Sequence, residues 1–85
     1  MKIQAEVSIY PLRTESLSQP IQEFCEILDS CGLEITTTNM STLVSGDSGI
    51  LFKACEKAFD QLSSQYQIVM NMKISNACPL DGPNA

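Results

Sequence analysis

Residues 2–10, KIQAEVSIY, alternate apolar and polar side chains without a break. Ile3, Ala5, Val7 and Ile9 fall on one side, and Gln4, Glu6, Ser8 and Tyr10 on the other. A strict period of two describes a strand with one face buried and one face open. Such a strand cannot stand alone. Something must cover its apolar side, and the rest of the chain is readable as the cover.

Pro11 ends this strand, and RTESL (13–17) reads as a loop. A helix of about 14 residues follows. Ser18 is its candidate N-cap and Pro20 lies in the first turn, where a missing N–H is harmless. Leu17, Ile21, Phe24, Cys25 and Leu28 recur at helical spacing, with Glu23, Glu26 and Asp29 opposite. Gly32 is the C-cap, and Leu33 is placed to pack back on the last turn. Leu33 to Thr38 is a second strand, Asn39-Met40 a turn, and Ser41 to Gly46 a third strand. Asp47 or Ser48 caps a second helix whose stripe is Leu51, Ala54, Cys55, Ala58, Phe59 and Leu62. Phe24, Phe52 and Phe59 are read as core. Residues 66–75, YQIVMNMKIS, form a fourth strand with Ile68, Met70, Met72 and Ile74 on one face. The terminal NACPLDGPNA lacks periodicity and reads as a frayed tail.

The order β-α-β-β-α-β is that of the ferredoxin-like α+β sandwich: a four-stranded antiparallel sheet with two helices on one face. The domain spans 1–75, with 76–85 as a flexible tail. The uncovered sheet face carries Glu6, Ser8, Tyr10, Asn71, Lys73 and alternate residues of the hairpin. Tyr10 and Val69 make it partly apolar, the character of a surface that meets another subunit or a ligand.

Charge and residue types exclude several uses of this fold. The net charge is −5, and the five basic residues do not cluster, which argues against nucleic acid. No apolar run approaches the ~18–20 residues of a membrane span, and no leader pattern opens the chain, so the expectation is a cytoplasmic protein without membrane contact. The four cysteines, Cys25, Cys31, Cys55 and Cys78, form no C-x-x-C pair, and histidine is absent, so no zinc site is expected. Cys25 and Cys55 read as small buried apolar groups, and Cys78 as an exposed thiol in the tail. An RNA-recognition domain would show aromatics on its central strands, but only Tyr10 is there. The first loop lacks the thiols of a metal chaperone and the glycines of a phosphate cradle. Without histidine, a general base at neutral pH would need a shifted carboxylate, lysine or thiolate, and nothing pairs one with an activating neighbour. A non-catalytic protein is expected.

The stretch EVSIYPLRTESLSQPIQEFCEILDSCGLEI, followed by MSTLVSGD and a capped helix, resembles the YkoF-like thiamine-binding family over residues 3–75. The resemblance implies the same ferredoxin-like fold. It implies binding of thiamine or its hydroxymethylpyrimidine part without chemical change, and a homo-oligomer (dimer or tetramer) assembled through its sheets. No cofactor is implied beyond that ligand. Ser45 stands where the family usually has Glu, and SNACPL follows the last strand where a basic residue is common.

Thiamine is a cation with two flat rings. A site for it needs hydroxyls or an amide for the aminopyrimidine, a wall for the rings and negative potential near the thiazolium. Ser8, Ser41 and Thr42 offer hydroxyls, Asn71 an amide, Tyr10 and Met40 a wall, and Glu6 or Asp47 charge. Thr42 matches the family's recurrent Thr. Each residue also has a plain role open to it. Thr favours strands through its branching, Ser41 can finish a turn, Asp47 can cap a helix, and Glu6 and Tyr10 can serve an interface. Periodicity leaves open whether Thr42 with Val44, or Leu43, faces the helices. A regulatory or structural protein–protein interaction module using the open face is the alternative. An amino-acid sensor ranks lower, since Gly46 and Gly49 are the only glycines near a helix start.

Overall fold

The computed structural model describes residues 1–77, so the expected tail beyond Ala77, with Cys78, lies outside the described residues. The elements run β1 (Lys2–Leu12), α1 (Ser18–Ser30), β2 (Glu34–Thr37), β3 (Thr42–Asp47), α2 (Ser48–Ser63) and β4 (Gln67–Ser75). The four strands form one sheet in the order β2-β3-β1-β4, every pair antiparallel. This is the ferredoxin-like α+β arrangement that the element order implies.

Ile3, Ala5, Val7 and Ile9 of β1 join Phe24 and Leu28 of α1 and Leu51, Ala54, Cys55, Ala58 and Leu62 of α2 in one buried cluster. Both helices therefore cover the same sheet face. Val44 and Thr42 of β3 are buried on that side, which fixes the register left open by the alternation. Gly46 continues this row. A Cβ there would lie 2.5 Å from Cδ2 of buried Leu33, so the absent side chain is what lets Leu33 close over β3.

Several local expectations are corrected. Ser18 is the first helical residue of α1; Leu17 holds the N-cap position without a side-chain cap and is exposed. The α1 C-cap is Cys31, and Gly32 follows it at φ +83°, the left-handed conformation that glycine adopts freely. Pro11 does not end β1, which runs on to Leu12 paired with Gln67 of β4. Proline is tolerated because pairing with β3 stops at Val7–Thr42, so beyond Val7 one side of β1 is an edge. Phe52 and Phe59 are not core: they are 53% and 36% exposed. The buried stripe of α2 recurs at 51, 54, 55, 58 and 62, and each Phe lies one residue, about 100°, around the helix from a stripe member. Cys55 is buried, and burial, followed by the charge of nearby Cys31, pushes its thiol pKa up. Cys25 is only half-buried. Asp47 is the N-cap of α2, accepting from the Gly49 and Ile50 amides at 3.0 and 3.4 Å.

Candidate ligand-binding site

The unequal lengths of two neighbouring strands make the site. β1 runs from Lys2 to Leu12, but β3 pairs with it only as far as Val7. Past that point the chain leaves β3 backwards through the loop of residues 38–41 into β2, opening a gap beside Ser8 and Ile9. The gap encloses about 100 Å³. Val7, Ile9, Ile21 and Phe24 form its apolar floor and wall, while Ser8, Thr37, Thr38, Asn39, Met40, Ser41 and Thr42 bound it on the loop side.

Thr38 holds the loop in shape. Its amide donates to the Ser41 carbonyl at 2.8 Å, its hydroxyl donates to the same carbonyl at 2.9 Å, and it accepts from the Ser41 amide at 3.0 Å. The Ser8 hydroxyl reaches the Met40 carbonyl across the gap at 3.4 Å, and the Ser41 hydroxyl donates to Glu6 Oε2 at 2.9 Å. The crowding of Thr and Ser from 36 to 45 thus has two physical causes. Thr38 and Ser41 tie the loop, and Thr37 and Thr42 face the gap.

Thr42 is the one buried polar residue among the described residues, 4% exposed. Its hydroxyl meets only the Cys25 thiol, at 3.7 Å, and the same thiol lies 3.8 Å from Thr37 Oγ1. A thiol is a weak partner. A buried hydroxyl so poorly satisfied, on the rim of a cavity, is free to pair with something better.

The structure brings together Ser8, Met40, Ser41 and Thr42, with Glu6 one hydrogen bond behind Ser41. Glu6 also has Lys73 Nζ 3.9 Å from its other oxygen. Asn71 and Tyr10 share the open sheet face with Glu6 and Ser8 but do not line the gap: Asn71 sits opposite Ser8 on the β4 side of β1, and Tyr10 sits opposite Val69. Asp47 lies at the far end of β3, where the Met1 ammonium binds its Oδ1 at 3.1 Å. That hydrogen bond, the Ile50 and Gly49 amides and the ammonium charge hold its carboxyl below the usual carboxylate range. It is committed to the helix cap and is not part of the gap. Thr37 and Thr38, part of the hydroxyl-rich stretch but not among the candidate ligand residues, border the gap, and Cys25 stands behind Thr42 and Thr37. Only the hairpin register and the length of its loop bring them there.

A wider groove of about 340 Å³ lies outside the core between the helices, lined by Glu23, Glu26, Lys57 and Gln61 among others. It is shallow and shares no residue with the gap. No group of three metal-ligating side chains occurs among the described residues, and no helix there is long and apolar enough to cross a membrane.

The sequence profile of a family described as "thiamine-binding protein" matches residues 5–77, nearly the whole sheet and both helices. This chain belongs to that family. The same fold recurs in solved structures. A hypothetical protein from Methanocaldococcus jannascii superposes with a TM-score of 0.82 at 29% identity, covering 99% of this chain and 87% of that one. A candidate thiamine biosynthesis/salvage protein of Thermotoga maritima gives a TM-score of 0.77 at 18% identity, over 87% of this chain and 82% of its own. A domain of unknown function from Bacillus cereus gives 0.76 at 15% identity, over 88% and 75%. At the last two identities the likeness is one of fold. No curated protein matches the chain.

Proposed function

We propose that this member of the thiamine-binding family holds thiamine, or its hydroxymethylpyrimidine part, in the gap between β1 and the hairpin loop, and releases it unchanged. The observation that supports this reading is the gap itself: an apolar wall with an under-satisfied Thr42 hydroxyl at its rim. At about 100 Å³ it is well below the ~300–1,000 Å³ of pockets that enclose a drug-sized ligand. It suits one flat ring and not two. The pyrimidine ring fits the chemistry, with ring nitrogens and an amino group to pair with the Thr42 and Thr37 hydroxyls and its faces against Phe24 and Ile9. The thiazolium would then lie outside, on the side of Glu6, whose carboxylate suits a cation. Exposed Met40 would close over the ring from the loop. Ser45 lies three residues from the end of β3 that borders the gap, opposite Gln4, and the carboxylate tied to the gap's rim is that of Glu6, through Ser41. No chemical step is assigned. The open face, with Tyr10 and Val69 half-exposed, is the surface for a second subunit in the same reading.

Thermal unfolding with thiamine, with hydroxymethylpyrimidine and with an unrelated organic cation tests it. Ligand at about 100 times its dissociation constant stabilises the fold by roughly 2.7 kcal/mol. Stabilisation by the first two alone is expected. No shift with either at millimolar concentration refutes the assignment and leaves the open face as a protein-interaction surface.

A further inference from the structure

The groove between α1 and α2 encloses about 340 Å³, within the ~300–1,000 Å³ of small-molecule sites. Ile27 and Leu62 give it an apolar floor. Its walls are polar and carry both signs of charge. Glu23 and Glu26 stand on the α1 side, with Lys57, Gln61 and Gln65 on the α2 side. β1 and β3 are antiparallel, and each leads directly into the helix that packs back over the sheet, so α1 and α2 run antiparallel as well. The Glu23 end of the groove therefore faces Gln65, and the Ser30 end faces Lys57. From Glu23 to Ser30 the wall runs about 10 Å. Unlike charges thus stand toward opposite ends of one groove.

These charges do not satisfy one another. No ion pair among the described residues joins Lys57 to either carboxylate. Glu26 accepts from Gln22 Nε2 at Oε1, at 3.1 Å, which leaves its other oxygen open. Glu23 has no such partner. Its Oε2 is shut off from solvent, and among the described residues it is the one buried side-chain oxygen or nitrogen without a hydrogen bond. A buried carboxylate oxygen without a donor is costly, and such an atom asks for an explanation. The terminal torsion of a glutamate is soft, so a small turn presents both oxygens to the groove, where a strong donor recovers the cost.

We propose that this groove is a second ligand site, for a free basic amino acid of the arginine type. The guanidinium is a planar fork of donors that matches a carboxylate in two parallel hydrogen bonds, so it uses both oxygens of Glu23 where an ammonium would use one. The α-carboxylate meets Lys57 at the other end. The α-ammonium lies within reach of Glu26, and the methylene stem lies along Ile27 and Leu62. A molecule with its cation and its carboxylate at opposite ends of an extended chain fits this order; a small amino acid, with both charges on one carbon, cannot reach both ends. The charges also balance. Two glutamates and one lysine leave the groove at −1, and arginine carries +1. The site shares no residue with the gap beside β1, and it does not rest on the thiamine reading.

Amide chemical shifts of the full, nitrogen-15-labelled chain, followed through a titration with arginine at low salt, test this. The amides around Glu23, Glu26, Lys57 and Gln61 should shift and saturate, while those of residues 37–42, which belong to the gap, stay in place. Citrulline has the same shape with a neutral head, and agmatine lacks the carboxylate. Each should bind at least about tenfold more weakly, as the loss of a charge-assisted hydrogen bond requires. Glu23→Gln should lose arginine by a similar factor with its urea midpoint unchanged, since the carboxylate has no partner in the free protein. Lys57→Gln should weaken arginine and leave agmatine as it was. The proposal is overturned by the lack of a saturable shift up to ~20 mM arginine, a generous limit for a ligand of this size. Equal shifts with citrulline and agmatine overturn it too, as does a folded Glu23→Gln protein that keeps its affinity for arginine.

Discussion

Thr42→Val separates binding from folding. Valine keeps the branched shape and replaces the hydroxyl by a methyl. In the free protein that hydroxyl meets only the Cys25 thiol at 3.7 Å, a contact weaker than the ~1 kcal/mol of an ordinary hydrogen bond. The added methyl is buried at a position that is 4% exposed, and a buried methyl-sized group contributes about 0.8 kcal/mol. The two changes roughly offset, so the urea midpoint without ligand should stay near wild type or rise. With ligand bound the balance differs. If the hydroxyl pairs with the pyrimidine edge, its loss leaves a ligand nitrogen unsatisfied in an enclosed space, costing about 1–3 kcal/mol. That is a dissociation constant weaker by roughly 5- to 150-fold. Calorimetric titration with thiamine and with hydroxymethylpyrimidine measures it, beside urea unfolding of the free variant. Thr42→Ser, which keeps the hydroxyl, should retain binding. A Thr42→Val protein that binds within about twofold of wild type refutes the role of the hydroxyl, because the predicted loss starts near fivefold. A collapse of the urea midpoint would show instead that the hydroxyl is structural.

Gly46→Ala should destabilise by about 1–3 kcal/mol in urea unfolding, because the new Cβ meets Leu33 and forces it off its seat; an unchanged midpoint would mean that Leu33 repacks freely. Asp47 predicts a pH dependence of known sign. Its folded pKa is lowered, chiefly by the hydrogen bond from the Met1 ammonium, so its stabilisation is present above the unfolded carboxylate value and is lost as pH falls through the folded one. Asp47→Asn should therefore lower the urea midpoint at neutral pH, with the gap to wild type narrowing below about pH 4, where the unfolded carboxyl titrates.

The six elements could be read in the sequence because β1 and β4 carry a period of two and the helices one of about 3.6, an Asp cap precedes α2, and a turn sets β2 apart from β3. What could not be read depends on contacts between elements. Pro11 looked like a stop, yet the shortness of β3 relieves the demand on its missing N–H. Phe52 and Phe59 looked like core from residue type, while small Ala54 and Ala58 hold the core positions and let the helices approach. In the site, Thr42 could be named from the sequence but its side of the sheet could not, because both faces of β3 carry mixed residues. Thr37 and Cys25 gave no local signal, since their place depends on the hairpin register and on where α1 crosses it.

β1 is held unevenly along its length. Gln4 to Val7 have neighbours on both sides, whereas Ser8 to Leu12 are laddered only to β4. The hairpin tip opposite that second half is tied to β1 by the Ser8–Met40 and Ser41–Glu6 contacts. Free energies of local opening follow such differences in pairing, and loops with few ties open well before a domain unfolds. The tip can therefore lift and settle while Phe24, Leu28 and Val44 stay packed. Entry to the gap then becomes a small hinge event, and the measured affinity of any guest includes the work of stilling that tip. Tightening the hairpin would be expected to slow exchange of the guest more than it changes the thermal stability of the whole domain.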